Sequence, residues 1–306
     1  MSALIIGHKN PDTDSIIAAL AAADLYTQRG LEVEAVAQGT PAPETAFVLE
    51  RFGLKAPAVV TSVAGRDVYA VDYSDLGQAP SDFSDCNLKG IIDHHKLGDM
   101  TSSSPVECVI MPVGCTNTII KRMYDYLGKK PSKELAGAML CAILSDTVIF
   151  KSPTCTEADR AAAAELAEIA GVADIKALGM ELFTAKSAVK GVAARDLILR
   201  DFKDFTMSGK KIGIGQLELV DLSLLEDRFA ELLEDLGRMK AEGRHTAMLL
   251  VTDIMKEGSV LLMASDDPAK VASAWGKTLG EGNLWLEGVM SRKKQVVPNL
   301  EKVFKD

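Results

Sequence analysis

Three of the four histidines in this 306-residue chain stand in short polar clusters with aspartate: His8, Asp12 and Asp14 in GHKNPDTDS, and His94 and His95 beside Asp93 in a DHH triplet. Asp72 closes the apolar run DVYAVD. Imidazole nitrogen and carboxylate oxygen together make a donor set suited to Mn, Co, Fe or Zn rather than to Mg alone. Far downstream, Arg292 and Lys293 open a contiguous RKK. In a chain of net charge -9 this block reads either as a local funnel for an anion or as a solvated basic strand end. A covalent nucleophile has no signature, because there is no G-x-S-x-G and no cysteine beside a histidine.

Taken singly, each cluster has an ordinary structural reading. Asp14 or Ser15 suits a helix N-cap equally well, a strand-end aspartate suits a turn, and an adjacent histidine pair is commonly one core and one surface residue. What they share is position. Apolar runs at Ala3 to Gly7, Leu31 to Ala37, Asp67 to Asp72 and Leu88 to Asp93 predict strands, and the clusters fall where three of these runs end. Helical spacing over Ser15 to Gln28 and Glu44 to Phe52 alternates with the strands, which predicts a parallel sheet. In such sheets ligands bind at the carboxyl ends of strands, so the clusters converge on one crevice.

Further helices are predicted over Thr116 to Leu127, Lys133 to Leu144 and Glu157 to Ala170, the last capped by Thr154 or Thr156 and closed at Gly171. Large apolar residues thin out in TAKSAVKGVAAR, Thr184 to Arg195, and the domain boundary is placed there. The division is residues 1–187, a linker 188–195, and residues 196–306. The second domain reads as α/β with a mixed sheet: strands at Phe205 to Met207 and Lys211 to Leu219, a charged helix from Ser223 to Glu242, and a hairpin of Ala247 to Asp253 with Ser259 to Ala264 around KEG.

Composition narrows the class. The hydrophobic share of 47% and charged share of 25% are ordinary for globular chains, and no apolar run reaches the roughly 18 residues of a membrane span. The N-terminus lacks the basic stretch of a signal peptide, so a cytoplasmic protein with no membrane partner is expected. With 34 Lys and Arg against 43 Asp and Glu, no nucleic-acid partner is expected either. Five cysteines without CxxC spacing read as packed thiols in a reducing compartment. KIGIG at Lys211 to Gly215 lacks the third glycine of a dinucleotide loop, and His245, Trp275 and Trp285 read as structural.

GHKNPDTDS, the DHH triplet and SRKKQVVP at Ser291 to Pro298 together resemble the manganese-dependent, family II inorganic pyrophosphatases of the DHH phosphoesterase superfamily. PVGCTNTII (Pro112 to Ile120), SDTVIFKSPTCT (Ser145 to Thr156) and ELAEIAGV (Glu165 to Val172) are similar to that family and fall in its order. DHH alone marks the superfamily, whereas DHH followed by SRKK marks the C-terminal domain type of pyrophosphatases and their exopolyphosphatase relatives.

The resemblance implies an α/β protein whose N-terminal αβα DHH domain and smaller DHHA2-like C-terminal domain enclose the active site in a cleft between them. It implies an inorganic diphosphatase that splits pyrophosphate into two phosphates by attack of a hydroxide bridging two metals. Exopolyphosphatase is the alternative, and a small phosphonucleotide or oligonucleotide phosphoesterase the more distant one. The implied cofactors are two Mn2+ per site, with Co2+ as a substitute and Mg2+ accompanying the substrate. The implied metal ligands are His8, Asp12, Asp14, Asp72, His94 and Asp146, with Asp72 bridging, and Asp93 supports a ligand imidazole from behind. Lys203, Arg292 and Lys293 are the implied substrate cations, and His95 lies near the reacting oxygen. A homodimer through the N-terminal domain is also implied. One position departs from the pattern: members of the family show His after the bridging Asp, where this chain has Tyr73 and then Ser74.

Overall fold

The computed structural model describes residues 2–277 and 283–305. The chain divides into two compact units, Met1–Ala185 and Lys186–Asp306, each with its own core.

The first unit contains β1 (Ala3–Ile6), α1 (Thr13–Gln28), β2 (Val33–Ala37), α2 (Pro43–Arg51), β3 (Ala58–Val59), β4 (Asp67–Val71), β5 (Asn87–Asp93), β6 (Glu107–Ile110), α3 (Thr116–Tyr126), α4 (Lys133–Asp146), α5 (Glu157–Ala170) and α6 (Ile175–Lys186), whose last residue opens the second unit. Its six strands lie in the order β3-β2-β1-β4-β5-β6, all parallel. The chain runs outward from β1 through β2 to β3, then returns to place β4 on the other side of β1. The order therefore reverses between β1 and β4, and a crevice opens at their carboxyl ends.

Residues of β1 alternate between two buried clusters, as the two-residue pleat requires. Ile5 joins the cluster built with α1, α3, α4 and α5. Leu4 and Ile6 join the opposite one, where Val63, Tyr73, Ala79 and Phe83 from loops and a single 3-10 turn cover the sheet. Burial on both faces explains why β1 reads as a continuous apolar run. α1 is buried over most of its circumference by its alanines, since α4 packs on the side away from the sheet.

The second unit contains α7 (Ala194–Leu199), β7 (Phe202–Met207), β8 (Lys210–Leu219), α8 (Phe229–Ala241), β9 (Thr246–Asp253), β10 (Gly258–Ser265), α9 (Pro268–Ser273), β11 (Asn283–Glu287) and α10 (Val297–Phe304). Its sheet, ordered β11-β10-β9-β8-β7, is mixed: β8 and β9 are parallel and the other pairs antiparallel. Val189 and Ala194, in the stretch with linker composition, are buried in this unit's core.

Four details differ from expectation. β3 and β6 are short edge strands, and the exposed residues of β3 and the first half of β6 left no apolar pattern to read. α6 carries only four buried residues. The helix expected from Ser223 begins at Phe229, because Asp221 caps a preceding 3-10 turn through Ser223 N–H (2.9 Å) and Leu222 and Leu225 bury at a spacing of three. Packing accounts for buried Cys141, whereas Cys108 is exposed on β6 and Cys115 has a polar partner described below. Among the described residues, no helix is long and apolar enough to cross a membrane.

Candidate metal centre

The loop from β1 to α1 makes a close approach at Gly7, where a Cβ would lie 2.0 Å from Ser15 Oγ and 2.7 Å from Ser15 O. Glycine is thus required for the chain to leave β1 and present His8 and Asp12 side by side. Asp12 is the N-cap of α1, its Oδ1 accepting from Ser15 N–H at 2.9 Å, so Asp12 holds the cap that the sequence offered to Asp14 or Ser15. Its Oδ2 lies 3.4 Å from His8 Nε2.

Asp14, in the first turn of α1, points at the N-terminus of α3. Its carboxylate accepts Thr116 N–H (2.7 Å), Asn117 N–H (3.2 Å), Asn117 Nδ2–H (2.6 Å) and the Cys115 thiol (2.9 Å). Two helix N-termini thus favour its negative charge. The loop before α3 is itself tied down by buried Asp159, which accepts Gly114 N–H (2.8 Å) and Thr118 Oγ1–H (2.6 Å) while completing the Thr156 capping box of α5. Cys115, Thr116, Asn117 and Asp159 escaped sequence reasoning as site residues, although PVGCTNTII marked the segment of the first three.

Asp72 follows β4 with φ of +67°, a left-handed conformation uncommon for aspartate, and is buried. Its two oxygens face different imidazoles: Oδ2 is 3.3 Å from His8 Nε2, and Oδ1 is 3.5 Å from His94 Nε2 while accepting Thr116 Oγ1–H at 2.9 Å. Asp146, the last residue of α4, lies 3.8 Å from His94 Nε2. The turn after it holds Val148, Ile149 and Phe150 at φ of +50°, +51° and +64°, an expensive conformation for side chains of this bulk.

The tautomers follow from the other ring nitrogens. His8 Nδ1–H donates to Lys9 O at 2.7 Å and His94 Nδ1–H to Val113 O at 3.0 Å, since a carbonyl can only accept. With the rings neutral, each Nε2 lone pair is aimed at carboxylates. His8 Nε2 is fully buried and has no hydrogen-bond partner. A lone pair facing two anions is repulsive unless a cation lies among them, so this donor set fits divalent metal ions.

The same crowding appears in the titration behaviour of the metal-free chain. Burial pulls His8 down, but the adjacent carboxylates of Asp12 and Asp72 outweigh it and raise the ring to about 10. Burial, then the neighbouring charge of Asp14, holds Asp72 and Asp146 well above the usual carboxylate range. Three donor groups can be drawn from these residues, the first two sharing Asp72: His8, Asp12 and Asp72; Asp72, His94 and His95; and Asp14, Cys115 and Asp146.

Asp93 supports an imidazole, and that imidazole is His95: Asp93 Oδ1 accepts His95 N–H (3.0 Å) and Nδ1–H (2.9 Å). The rings of His94 and His95 meet edge to face, with centroids 4.3 Å apart. Tyr73 turns away from the cluster into the core beneath β4, edge-on to Phe83, and its buried hydroxyl has no hydrogen-bond partner. In the second unit, Lys203 lies on β7, while Arg292 and Lys293 lie on one wide turn, Arg292–Val296. The Arg292 guanidinium is bound to Asp201, two residues before Lys203.

Comparison with known proteins places this geometry. The N-terminal domain of the DHH family matches residues 2–143, and the DHHA2 domain matches residues 180–303. A protein of Archaeoglobus fulgidus assigned as a manganese-dependent inorganic pyrophosphatase is 48% identical over 98% of this chain and 97% of its own length. The manganese-dependent inorganic pyrophosphatase of Bacillus subtilis is 41% identical, over 97% of each chain. A crystal structure from Methanococcus jannaschii, assigned as a family II inorganic pyrophosphatase, superposes with a TM-score of 0.89 at 41% identity over the whole of both chains. An exopolyphosphatase-related protein from Bacteroides fragilis shares the fold, with a TM-score of 0.52 at 15% identity over 99% of this chain and 92% of its own.

Proposed function

The chain belongs to the manganese-dependent inorganic pyrophosphatases of the DHH family, and from that premise we propose which of its side chains carry the reaction. The reaction is hydrolysis of pyrophosphate to two phosphates, with manganese as cofactor. When bound, manganese supplies Lewis acidity toward water and phosphoryl oxygen.

His8, Asp12, Asp14, Asp72, His94 and Asp146 would hold two ions in this reading, with Asp72 the carboxylate that stands between the two imidazoles. The observation that carries it is the pair of Asp72 oxygens, one facing His8 Nε2 and the other His94 Nε2, with His8 Nε2 buried and unpartnered. The backbone carbonyls of Lys9 and Val113 fix the two rings with Nε2 toward the carboxylates, so no rotamer or tautomer search accompanies binding. To serve as a ligand, His8 would have to give up the proton that the metal-free centre keeps on its ring.

His95 is proposed to act on the phosphoryl group. Its ring is oriented by Nδ1–H on Asp93, and in this reading Nε2 meets an oxygen of the transferring or leaving phosphate. Lys203, Arg292 and Lys293 are proposed as substrate cations, offsetting most of the about three to four negative charges of pyrophosphate by point-charge and bidentate contacts. A homodimer through the first unit, a cytoplasmic location and no nucleic-acid partner complete the proposal.

The test is phosphate release by metal-stripped protein re-supplied with Mn, Co, Mg or Zn, with pyrophosphate and a long polyphosphate in parallel. Expected is release from pyrophosphate, best with Mn or Co, and its loss in His94→Ala and Asp72→Ala proteins that remain folded. Activity surviving both substitutions overturns the ligand assignment.

A further inference from the structure

We infer that Asp201 is a positioning residue that orients Arg292 and locks it in register with Lys203; this rests on the reading of Arg292 as a substrate cation. Arg292 is only 8% exposed, and its guanidinium is held by hydrogen bonds. Nη1 donates to Asp201 O (2.7 Å) and Ile214 O (3.1 Å), and Nη2 donates to Asp201 Oδ1 (2.6 Å). Asp201 therefore grips the end of the fork with both its backbone and its side chain.

A guanidinium carries five N–H donors. The three in use leave Nε–H and the second Nη2–H, which lie side by side on the remaining edge. That edge matches two oxygens of one phosphoryl group, the bidentate geometry that distinguishes arginine from lysine. Fixing the other edge on Asp201 removes the alternative rotamers in which this pair points elsewhere.

The same contacts set Arg292 against Lys203. Asp201 immediately precedes β7 and its carbonyl continues the ladder by accepting Gln216 N–H at 2.9 Å, so Asp201 and Lys203, two residues apart, fall on one side of the pleat. Ile214, whose carbonyl takes the second Nη1 hydrogen, is the cross-strand partner of Lys203. The Arg292 backbone is held as well: its N–H donates to Gln216 Oε1 at 3.1 Å, and its turn is closed by Val296 N–H on Ser291 O at 3.2 Å, a five-residue step of the π type frequent at functional sites. Two routes thus connect the two cations, one through Asp201 and the chain from it to Lys203, the other through the Ile214 carbonyl and its cross-strand pairing with Lys203.

The experiment is steady-state hydrolysis of pyrophosphate by the full-length, manganese-loaded protein carrying Asp201→Ala, Asp201→Asn, Asp201→Glu, Arg292→Ala and the Asp201→Ala/Arg292→Ala pair. Asp201→Ala is expected to raise KM about tenfold with a smaller change in kcat, the loss of one charge-assisted contact acting on binding. Asp201→Asn, whose amide oxygen still accepts Nη2–H, recovers most of that loss. Asp201→Glu keeps the charge but displaces it, and raises KM about threefold. In the Arg292→Ala background, Asp201→Ala adds less than about twofold, because residues acting through one another are not additive.

An unchanged KM in Asp201→Ala, or a full tenfold effect persisting without Arg292, overturns the inference. If Asp201→Ala fails to fold, Asp201→Glu and Asp201→Asn decide it by the same KM order. An Arg292→Ala protein with unaltered KM instead removes the substrate role of Arg292, a failure distinguishable from that of Asp201.

Discussion

Replacing Asp146 with asparagine should stabilise the metal-free protein and destabilise the manganese-loaded one. Asp146 ends α4, where the helix dipole disfavours an anion by about 0.3–1 kcal/mol. Burial and the charges of Asp14, Asp12 and Asp72 all push its proton affinity up. A like charge at about 4 Å costs between about 1 kcal/mol in water and about 4 kcal/mol at a partly shielded site. Set against a weak attraction from His94 at 3.8 Å, removal of the charge gains about 1–2 kcal/mol. For a unit of 185 residues this is an increase of about 2–8 °C in melting temperature. Manganese at about a hundred times its dissociation constant adds about 2.7 kcal/mol to the wild-type chain, or about 5–11 °C. A variant binding about a hundredfold more weakly gains only about 1 °C from the same addition. Far-ultraviolet circular dichroism during heating, with chelator or with manganese, reads all four states. The pH dependence has a definite sign. A carboxyl raised in the folded state contributes stability that is complete below its unfolded value of about 4 and is lost as pH rises through the folded value. The asparagine variant and the wild type therefore converge near pH 4, by this account to within about 0.5 kcal/mol, and separate toward neutrality. A metal-free variant less stable than wild type at neutral pH, or one with an undiminished manganese shift, refutes the reasoning.

Asp93→Ala is expected to lower kcat by about 10–100-fold while leaving the manganese dissociation constant within about twofold, since Asp93 orients His95 and His95 is not among the proposed ligands; a matching loss of manganese affinity by calorimetry refutes that division. Tyr73→Phe deletes a buried hydroxyl with no hydrogen-bond partner and should raise the melting temperature slightly or leave it unchanged, with activity intact. Either a drop of several degrees or a loss of turnover speaks against the placement of this ring in the core, away from the metal centre. Gly7→Ala places a methyl group against Ser15 Oγ and the Ser15 carbonyl and should cost about 1–3 kcal/mol, with weakened manganese binding because His8 and Asp12 flank the strained turn. Normal affinity in this variant shows that the turn adapts without moving the ligands.

The strand ends were the legible part of this centre. His8, Asp12, Asp14, Asp72, His94 and His95 announce themselves because a polar residue breaks an apolar run at each carboxyl terminus of β1, β4 and β5, and a parallel sheet brings such ends together whatever its detailed order. Asp146 had no such signal of its own: it terminates α4, far from any strand, and only the resemblance of SDTVIFKSPTCT drew it in. Asp159 was legible as part of a helix-start pattern, but nothing in local sequence says that one carboxylate also braces Gly114 and Thr118, forty residues upstream. The cap of α1 was assigned two or three residues late because the Asn-Pro-Asp stretch offers several acceptors and only backbone geometry selects Asp12. β3 and β6 were invisible for a simpler reason, since edge strands this short with exposed side chains carry no two-residue alternation.

The centre also shows how a fold keeps several carboxylates together before any metal arrives. The four proposed aspartate ligands are not equally supported. Asp14 receives four hydrogen bonds at the N-terminus of α3, and Asp12 caps α1, so both are stabilised by helix starts that exist for structural reasons. Asp72 and Asp146 have no helix N-terminus: one stands on a left-handed backbone position and the other at a helix C-terminus. These are the two whose protonation is favoured in the metal-free chain, and they are also the two that face His94. Neutralisation by metal is therefore worth most on the His94 side of the cluster. An asymmetry follows for loading of the proposed ligand set: with Asp72 common to both, an ion taken up beside Asp14, His94 and Asp146 would relieve more repulsion than one taken up beside His8 and Asp12, so calorimetry of the metal-free protein should resolve two binding steps that release different numbers of protons.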